Sequence, residues 1–564
     1  MTGFISYFSG IIGISGLICC RRIRPLFFSL FLILNTAGLL QATNYYVSNI
    51  GNNGNPGTSA DKPWLNVSRT FCRMLKPGDT VFFAGGQMHR SNIYLNDSIP
   101  LSRSRKIVFT SYGLKRAVID AGDSAAFFFY NLAGISMYRM DITGSGSSSN
   151  KASGVVFYAD DSLQHEGINI TDCDISGFGG HGVLIAVENT KAAVFGQVLL
   201  DKVSSHDNLL SGINTMGSFL VPGHYSIEDL VIRDCAAFRN FGDPTYKENH
   251  SGNGIECGSV RNGLVERCLA YENGKNNGCM YAGPVGIWCW ASTDFVIQHC
   301  ESHHNHTGTL KDGGGFDLDG GVTNSVLQYN YSHDNDGSGY LVCQFAGAME
   351  LQNVTLRYNI SENDGRKNET AGILFWSSGS AGGIQNAYVY NNTVYITPSK
   401  GNLAAGISVD SGEMQNLNFI NNIIFANGGM PLVKVNEKAL SAVSFKNNCY
   451  WAGKGSFMVQ WGTHEYSALS DWQKESSQEA GSKGEGVGYF TEPGLISPGK
   501  GITLNNPFKL ASLTGYQLKP GSSLAGRGLD LAVALGMDNG GFDFFGNRTL
   551  KSGQFSIGAH QPPK

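Results

Sequence analysis

Val296-Ile-Gln-His-Cys300 is followed thirty residues later by Val326-Leu-Gln-Tyr-Asn330 and is preceded by Val231-Ile-Arg-Asp-Cys235. Each segment alternates apolar and polar residues and ends on a small polar or thiol side chain, as a strand running into a corner does. The terminal position recurs at Met140, Cys173, Val203, Cys235, Cys268, Cys300, Asn330, Asn359, Asn392, Asn422 and Asn448. A second register keeps step with it. Glycine followed by an apolar-x-apolar triplet stands at Gly154, Gly182, Gly212, Gly254, Gly286, Gly315, Gly339, Gly372 and Gly406. Short strands in coils of about thirty residues, with no helical spacer between them, describe a parallel β-helix solenoid.

The repeat assigns most polar core positions. An inward Asn at one corner of each coil hydrogen-bonds the Asn above and below, so buried amides satisfy one another. Cys173, Cys235, Cys268 and Cys300 hold the same position and read as stacked small hydrophobes, with a disulfide framework as the alternative. The sequence has no C-x₂-C paired with an H-x₃-H, the spacing of a zinc finger.

Composition agrees with an all-β chain. Its 564 residues include 74 glycines, and only 15% are charged, which leaves no room for long Ala/Glu/Lys/Leu helices. A net charge of -4 without a Lys/Arg run gives nothing to hold a nucleic-acid backbone.

Residues 1–42 read as a signal peptide or leader: Arg21, Arg22 and Arg24 precede the apolar run Pro25–Leu40, which ends at Ala42. Cys19 and Cys20 raise a lipoprotein reading, but Leu17-Ile18 lacks the small residues expected before a lipidated cysteine. The expected location is secreted, periplasmic or at the cell surface, with no membrane association beyond a leader anchor. Residues 43–105 are expected to form an N-terminal cap containing a helix over Leu65–Lys76. The β-helix is expected over 106–455. Residues 456–564 are expected to form an irregular C-terminal cap, with a second helix at Asp471–Glu479.

Tyr45-Tyr-Val-Ser48, the Pro56-Gly57 turn, Lys76-Pro-Gly-Asp-Thr80 and Ile557-Gly-Ala559 resemble the secreted right-handed parallel β-helix proteins of the pectin-lyase-like superfamily. The resemblance implies a right-handed solenoid and a carbohydrate-active protein. It leaves open hydrolase, lyase, epimerase and non-catalytic binder.

The Gly-anchored strands locate the chemistry. Positions one and three after the Gly are apolar and point inward, so positions two and four point outward. Position two runs Asn214, Glu256, Trp288, Asp317, Leu341, Leu374, Ser408, and position four runs Met216, Gly258, Trp290, Asp319, Cys343, Trp376, Asp410. Tryptophans stack on sugar rings and paired carboxylates serve as acid and base. Strand rise sets the Asp317 and Asp319 Cα atoms about 6.5–7 Å apart, within reach of a glycosidase pair once the side chains turn. The catalytic candidates are therefore Asp317, Asp319 and Glu256. The substrate-binding candidates are Trp288, Trp290, Trp376, His303, His304, Lys311, His333 and Asp410. Duller readings stand beside these: Asp-x-Asp-Gly caps backbone amides or binds Ca²⁺, the tryptophans pack beneath a loop, and the histidines serve turns.

The first expectation is a monomeric glycoside hydrolase acting on a polysaccharide or oligosaccharide without a cofactor. The alternative is a Ca²⁺-dependent lyase acting on a uronate polymer, in which Asp312 joins the metal ligands and Lys311, Lys247 or His304 is the base. A non-catalytic carbohydrate-binding solenoid is the third. The Gly212–Gly254 interval of 42 residues marks an insertion carrying Asp243, Lys247 and His250, placed to build a binding face.

Overall fold

The computed structural model describes residues 41–564 except 68–71, 73, 100–103, 219–222, 369, 482–483, 550–552 and 564. Nearly all of the leader lies outside the described residues, as do five of the twelve residues, 68–71 and 73, of the helix expected over Leu65–Lys76. Among the described residues, no helix is long and apolar enough to cross a membrane.

Among the described residues, three sheets of fourteen strands each run from Asn44 to Phe490, and each interior strand pairs with its neighbours along the stack of coils. All pairings within them are parallel except the final one, in which Val459–Trp461 meets His464–Tyr466 antiparallel. The first sheet begins at Asn44–Val47, the second at Ile93–Asn96 and the third at Met88–Arg90. The solenoid therefore starts well before residue 106. Asn44–Val47 pairs with Thr80–Ala84, which pairs with Ile107–Tyr112, so the stretch read as a cap supplies the first coils.

Alternation explains the core. Ile255, Cys257, Ile287, Cys289, Phe316 and Leu318 are fully buried and join one continuous cluster along the axis. The ten cysteines of the described residues are free thiols, nine of them buried. The corner between the first and third sheets turns on one left-handed residue per coil, such as His299, Tyr329 and Tyr358 at φ 54°, 59° and 51°. A bulky residue adopts that conformation at a cost of about 1–2 kcal/mol, offset by the amide ladder that follows it. Asn330, Asn359, Asn392, Asn422 and Asn448 each donate to the next side chain at 2.7–3.2 Å, and the last donates to Glu479.

A second ladder, not anticipated from the sequence, lies at the corner between the third and second sheets. Asn208, Asn240, Asn273, Asn305 and Asn335 form it, and it ends on Asp364. Its members recur every 29–33 positions, each two residues past a short strand of the third sheet, as regularly as those of the first ladder.

The tail does two jobs. The helix Leu469–Ser476 closes the last coil, with Trp472 fully buried against Phe445, Tyr450 and Trp461. Beyond it the chain runs back along the outside of the third sheet. There Leu510, Leu513, Tyr516, Leu524 and Ile557 cover the outward-facing Tyr331, Tyr358 and Ile360. An outward column of Tyr and Ile is an apolar face that must be covered, so most of the tail is a strap rather than an end cap.

Candidate active site

The second sheet carries the column singled out above, and its register is continuous. Glu256 pairs with Trp288, Trp288 with Asp317, Asp317 with Leu341, Leu341 with Leu374, and Leu374 with Ser408. Asp319 lies one residue past the strand Gly314–Leu318, held by its N–H donating to the Cys289 carbonyl at 2.8 Å. Asp317 and Asp319 thus project from the same outer face.

That face is not solvated here. Glu256, Trp288, Trp290 and Asp317 are 6%, 5%, 9% and 3% exposed. Trp288 and Trp290 pack with Val285, Ala291 and Met216. Trp290 lies flat over Gly258, where a Cβ would stand 2.3 Å from its ring. The insertion loop folds back so that the His250 ring meets Trp288 edge-on at 5.2 Å. The two tryptophans therefore form a packed wall rather than an open platform, as the packing alternative held.

Glu256 belongs to that wall. Its Oε2 accepts from Ser211 Oγ at 3.0 Å and from Asn253 Nδ2 at 3.1 Å. The same Asn253 amide donates to His250 Nδ1 at 2.8 Å. Burial pushes the Glu256 carboxyl up to about 7 and pushes His250 down to about 4. Trp288 separates Glu256 from Asp317 by two strand spacings, about 10 Å.

The acids proper are Asp312, Asp317 and Asp319. Asp312 Oδ2 accepts from the Gly283 N–H at 2.8 Å, and burial raises its carboxyl. Asp319 Oδ1 accepts from the Gly320 N–H at 2.7 Å. Burial raises Asp319, and Asp312 adds to the effect. Asp317 is raised furthest, by burial first and then by the charges of Asp319 and Asp312. Its Oδ1 is buried without a hydrogen-bond partner among the described residues. The pair titrates as a unit that holds on to a proton, because two carboxylates in one desolvated site cannot both ionise freely.

Loops flank the acids. The corner before the second sheet presents Met280, Tyr281 and Leu310, and the corner after it presents Phe345 and Met349, all exposed. Lys311 is exposed beside Asp312. Trp376 is half-buried, two coils beyond Asp319. Asp410, one coil further, is exposed and accepts from Asn436 Nδ2 at 3.1 Å; it lines a cavity of about 440 Å³ with Ser408, Lys434, Gln460 and His464.

The histidines belong elsewhere. His303 and His333 lie on the third sheet, paired in register, and His304 stands at the adjoining corner. The C-terminal strap covers them, with Asn505 Oδ1 2.9 Å from His303 Nε2. They do not join the carboxylates, because one coil spreads its three strands over three faces. Residues that sequence reasoning missed are Ser211 and Asn253, which set the rotamers of Glu256 and His250. Their signal is an oxygen or amide side chain at the start of two register-matched strands, Ser211 opposite Asn253.

Comparison with known proteins agrees with this architecture. The family described as right handed beta helix region matches residues 153–310 and 245–394. Over 120 residues, 21% of this chain, the sequence is 35% identical to a lacto-N-biosidase from Bifidobacterium longum subsp. longum; the match spans 7% of that relative's length. Among solved structures, a GH136 lacto-N-biosidase from Eubacterium ramulus superposes with a TM-score of 0.47 at 17% identity, covering 66% of this chain and 67% of that one. Pectate lyase Pel9A superposes with a TM-score of 0.40 at 15% identity, covering 93% and 98%. The chain is a parallel β-helix protein, and its coils from 153 to 394 match the family described as right handed beta helix region.

Proposed function

We propose that this is a carbohydrate-active enzyme that hydrolyses glycosidic bonds at Asp317 and Asp319, with Asp312 as the third carboxyl of the site. One observation carries the reading. Asp317 is buried, receives no hydrogen bond on Oδ1, and is pressed upward by burial and by two neighbouring acids. A carboxyl that stays protonated near neutral pH beside one that can ionise is the equipment of glycoside cleavage: one donates a proton to the departing oxygen, and the other attacks or activates water. The exposed Tyr281 and Phe345 on the flanking loops offer ring faces for sugar stacking. The likeness to a lacto-N-biosidase over part of the chain supports an oligosaccharide as substrate class.

A Ca²⁺-dependent lyase is the second reading, suggested by three acids that act on one another and by the bare Asp317 oxygen, which would suit a hard cation; their carboxylate oxygens do not gather within 4.8 Å as the donors of the histidine cluster do. Asp312, Asp317 and Asp319 would hold the ion, which would neutralise a uronate carboxylate. Lys311 bears on the cluster as a cation through Asp312 and would be the candidate base. In either case we infer export from the leader read in residues 1–42.

A panel of neutral and uronate glycans tests the assignment. Hydrolysis yields reducing ends without a new absorbing double bond and survives chelation; elimination yields the double bond and does not survive it. Asp317→Asn and Asp319→Asn should each lower turnover at least about 100-fold. Full turnover in either variant refutes the siting, and glycan binding without any product leaves a binding solenoid.

A further inference from the structure

A second chemical cluster lies on the other side of the solenoid, under the C-terminal strap, and the proposed hydrolysis does not use it. His303 and His333 occupy equivalent positions of consecutive coils, with rings stacked at 4.7 Å and 13°. Each turns Nε2 toward an oxygen acceptor: His303 toward Asn505 Oδ1 at 2.9 Å, and His333 toward Glu301 Oε1 at 3.4 Å. In the neutral ring those acceptors place the hydrogen on Nε2 and leave a lone pair on Nδ1.

The Nδ1 atoms converge. His303 Nδ1 is 2.9 Å from His304 Nδ1, and His333 Nδ1 is 3.0 Å from Asp334 Oδ2. One ligand atom each from His304, His333 and Asp334 lie within 4.8 Å of one another. Two ring nitrogens 2.9 Å apart need a proton or a cation between them.

We propose that His304, His333 and Asp334, with His303 alongside, bind one divalent transition-metal ion of the zinc class. The chemistry of the donors is right: two imidazole nitrogens and one carboxylate, a three-ligand set that leaves a fourth zinc position open. The outer contacts are right as well. A metal-bound histidine commonly donates its other N–H to a carboxylate or carbonyl that fixes the ring, as Glu301 and the Asn505 side chain do here. Glu301 also accepts from the backbone N–H groups of Leu504 and Asn506 at 2.7 and 3.1 Å, which occupies its oxygens and leaves it outside the ligand set. His304 is only partly buried, which gives an ion a way in. The ion ties two coils together and, through Glu301 and Asn505, fastens the strap over the third sheet. The motif is invisible to linear spacing rules, since its ligands come from coils thirty residues apart. The competing arrangement is a His333 imidazolium between Glu301 and Asp334, a proton in place of the metal.

Untagged full-length protein, stripped with a chelator and dialysed, is titrated with zinc sulfate by calorimetry, and the Co²⁺-loaded form is read by visible absorption. One saturable site per chain is expected, with a tetrahedral-type Co²⁺ spectrum and a thermal midpoint that rises on adding Zn²⁺. His304→Ala and Asp334→Asn should each weaken binding at least tenfold and abolish the Zn²⁺-dependent rise. His306→Ala, whose ring pairs with Asp336 instead, should bind like the parent. Absence of saturable binding overturns the proposal in favour of the imidazolium. So does binding that survives both substitutions, because the ion then sits elsewhere.

Discussion

Replacing Glu256 by Gln should stabilise the protein, and by an amount that depends on pH. Burial moves this carboxyl from its ordinary 4.5 up to about 7. Folding therefore favours the protonated form, and an ionised Glu256 in the folded state is penalised. Below pH 4.5 both states are protonated and nothing is lost. Between 4.5 and about 7 the penalty grows with pH, and above that it is constant at about 3 kcal/mol. Gln removes the titration and keeps an oxygen for Ser211 and Asn253. Its N–H group also faces a use. Asn214, opposite Glu256 in the register, has a buried Oδ1 without a partner, and either a carboxyl proton or a Gln amide can supply one. Denaturant midpoints for parent and Glu256→Gln at pH 5 and pH 8 give the test. The expected gain is about 3 kcal/mol at pH 8 and under about 1 kcal/mol at pH 5. An equal difference at both pH values, or a loss at pH 8, refutes the account of this residue as a buried, proton-holding acid.

Asn392→Ala should cost about 4 kcal/mol in a denaturant titration, because it strips Asn359 of the acceptor of its N–H and Nδ2 and leaves the Leu356 carbonyl unpaired in the core. Gly258→Ala puts a methyl 2.3 Å from the Trp290 ring; displacement of that indole should alter intrinsic fluorescence and lower kcat/KM. Because Asp317 and Asp319 are both raised by burial and mutual repulsion, the proton on the pair survives to neutral pH. The pH–rate profile should therefore be bell-shaped, with an acid limb well above the ordinary carboxylate range, where Asp319 ionises, and an alkaline limb higher still, where Asp317 loses its proton; an acid limb near pH 4 would contradict the assignment.

The fold was legible because every coil repeats one constraint. An apolar-x-apolar triplet must face a shared interior, and a corner amide must find a partner one coil away, so Asn330 and its successors announce themselves at thirty-residue intervals. The second ladder from Asn208 to Asp364 obeys the same rule at intervals of 29–33 residues, each member two places past a short strand, so it too was legible. The outward column was legible in direction and register but not in exposure. Alternation says which way Trp288 points, and only the path of the loop bearing His250 says that it is covered. The histidines mark the limit of linear reading. Their positions in the repeat were clear, but which face they share with which acid depends on corner geometry and on a tail arriving from two hundred residues away.

Raised acidity constants alone do not identify the working acids, since several buried carboxyls here share that property. Asp364 and Glu479, like Glu256, are pushed up to about 7 by burial. Asp364 and Glu479 terminate the two ladders, and the reason is directional. Each Asn accepts through Oδ1 and donates through Nδ2, so the last amide in line needs an acceptor that asks for no further partner. A carboxyl does this: Asp364 takes Asn335 and Ser361, and Glu479 takes Asn448 and Tyr450. Glu256 likewise accepts from Ser211 and Asn253. Asp317 differs in kind. It is as buried as these; Glu479 also leaves one oxygen, Oε2, without a partner, but its Oε1 takes three donors, whereas the groups that act on Asp317 are two other acids. A ladder acid pairs with donors that stabilise it in place; an acid that faces other acids gains nothing in stability from its position. Removing its charge should therefore leave the fold intact or firmer while turnover collapses, and that opposition separates a catalytic carboxyl from the structural ones that share its chemistry.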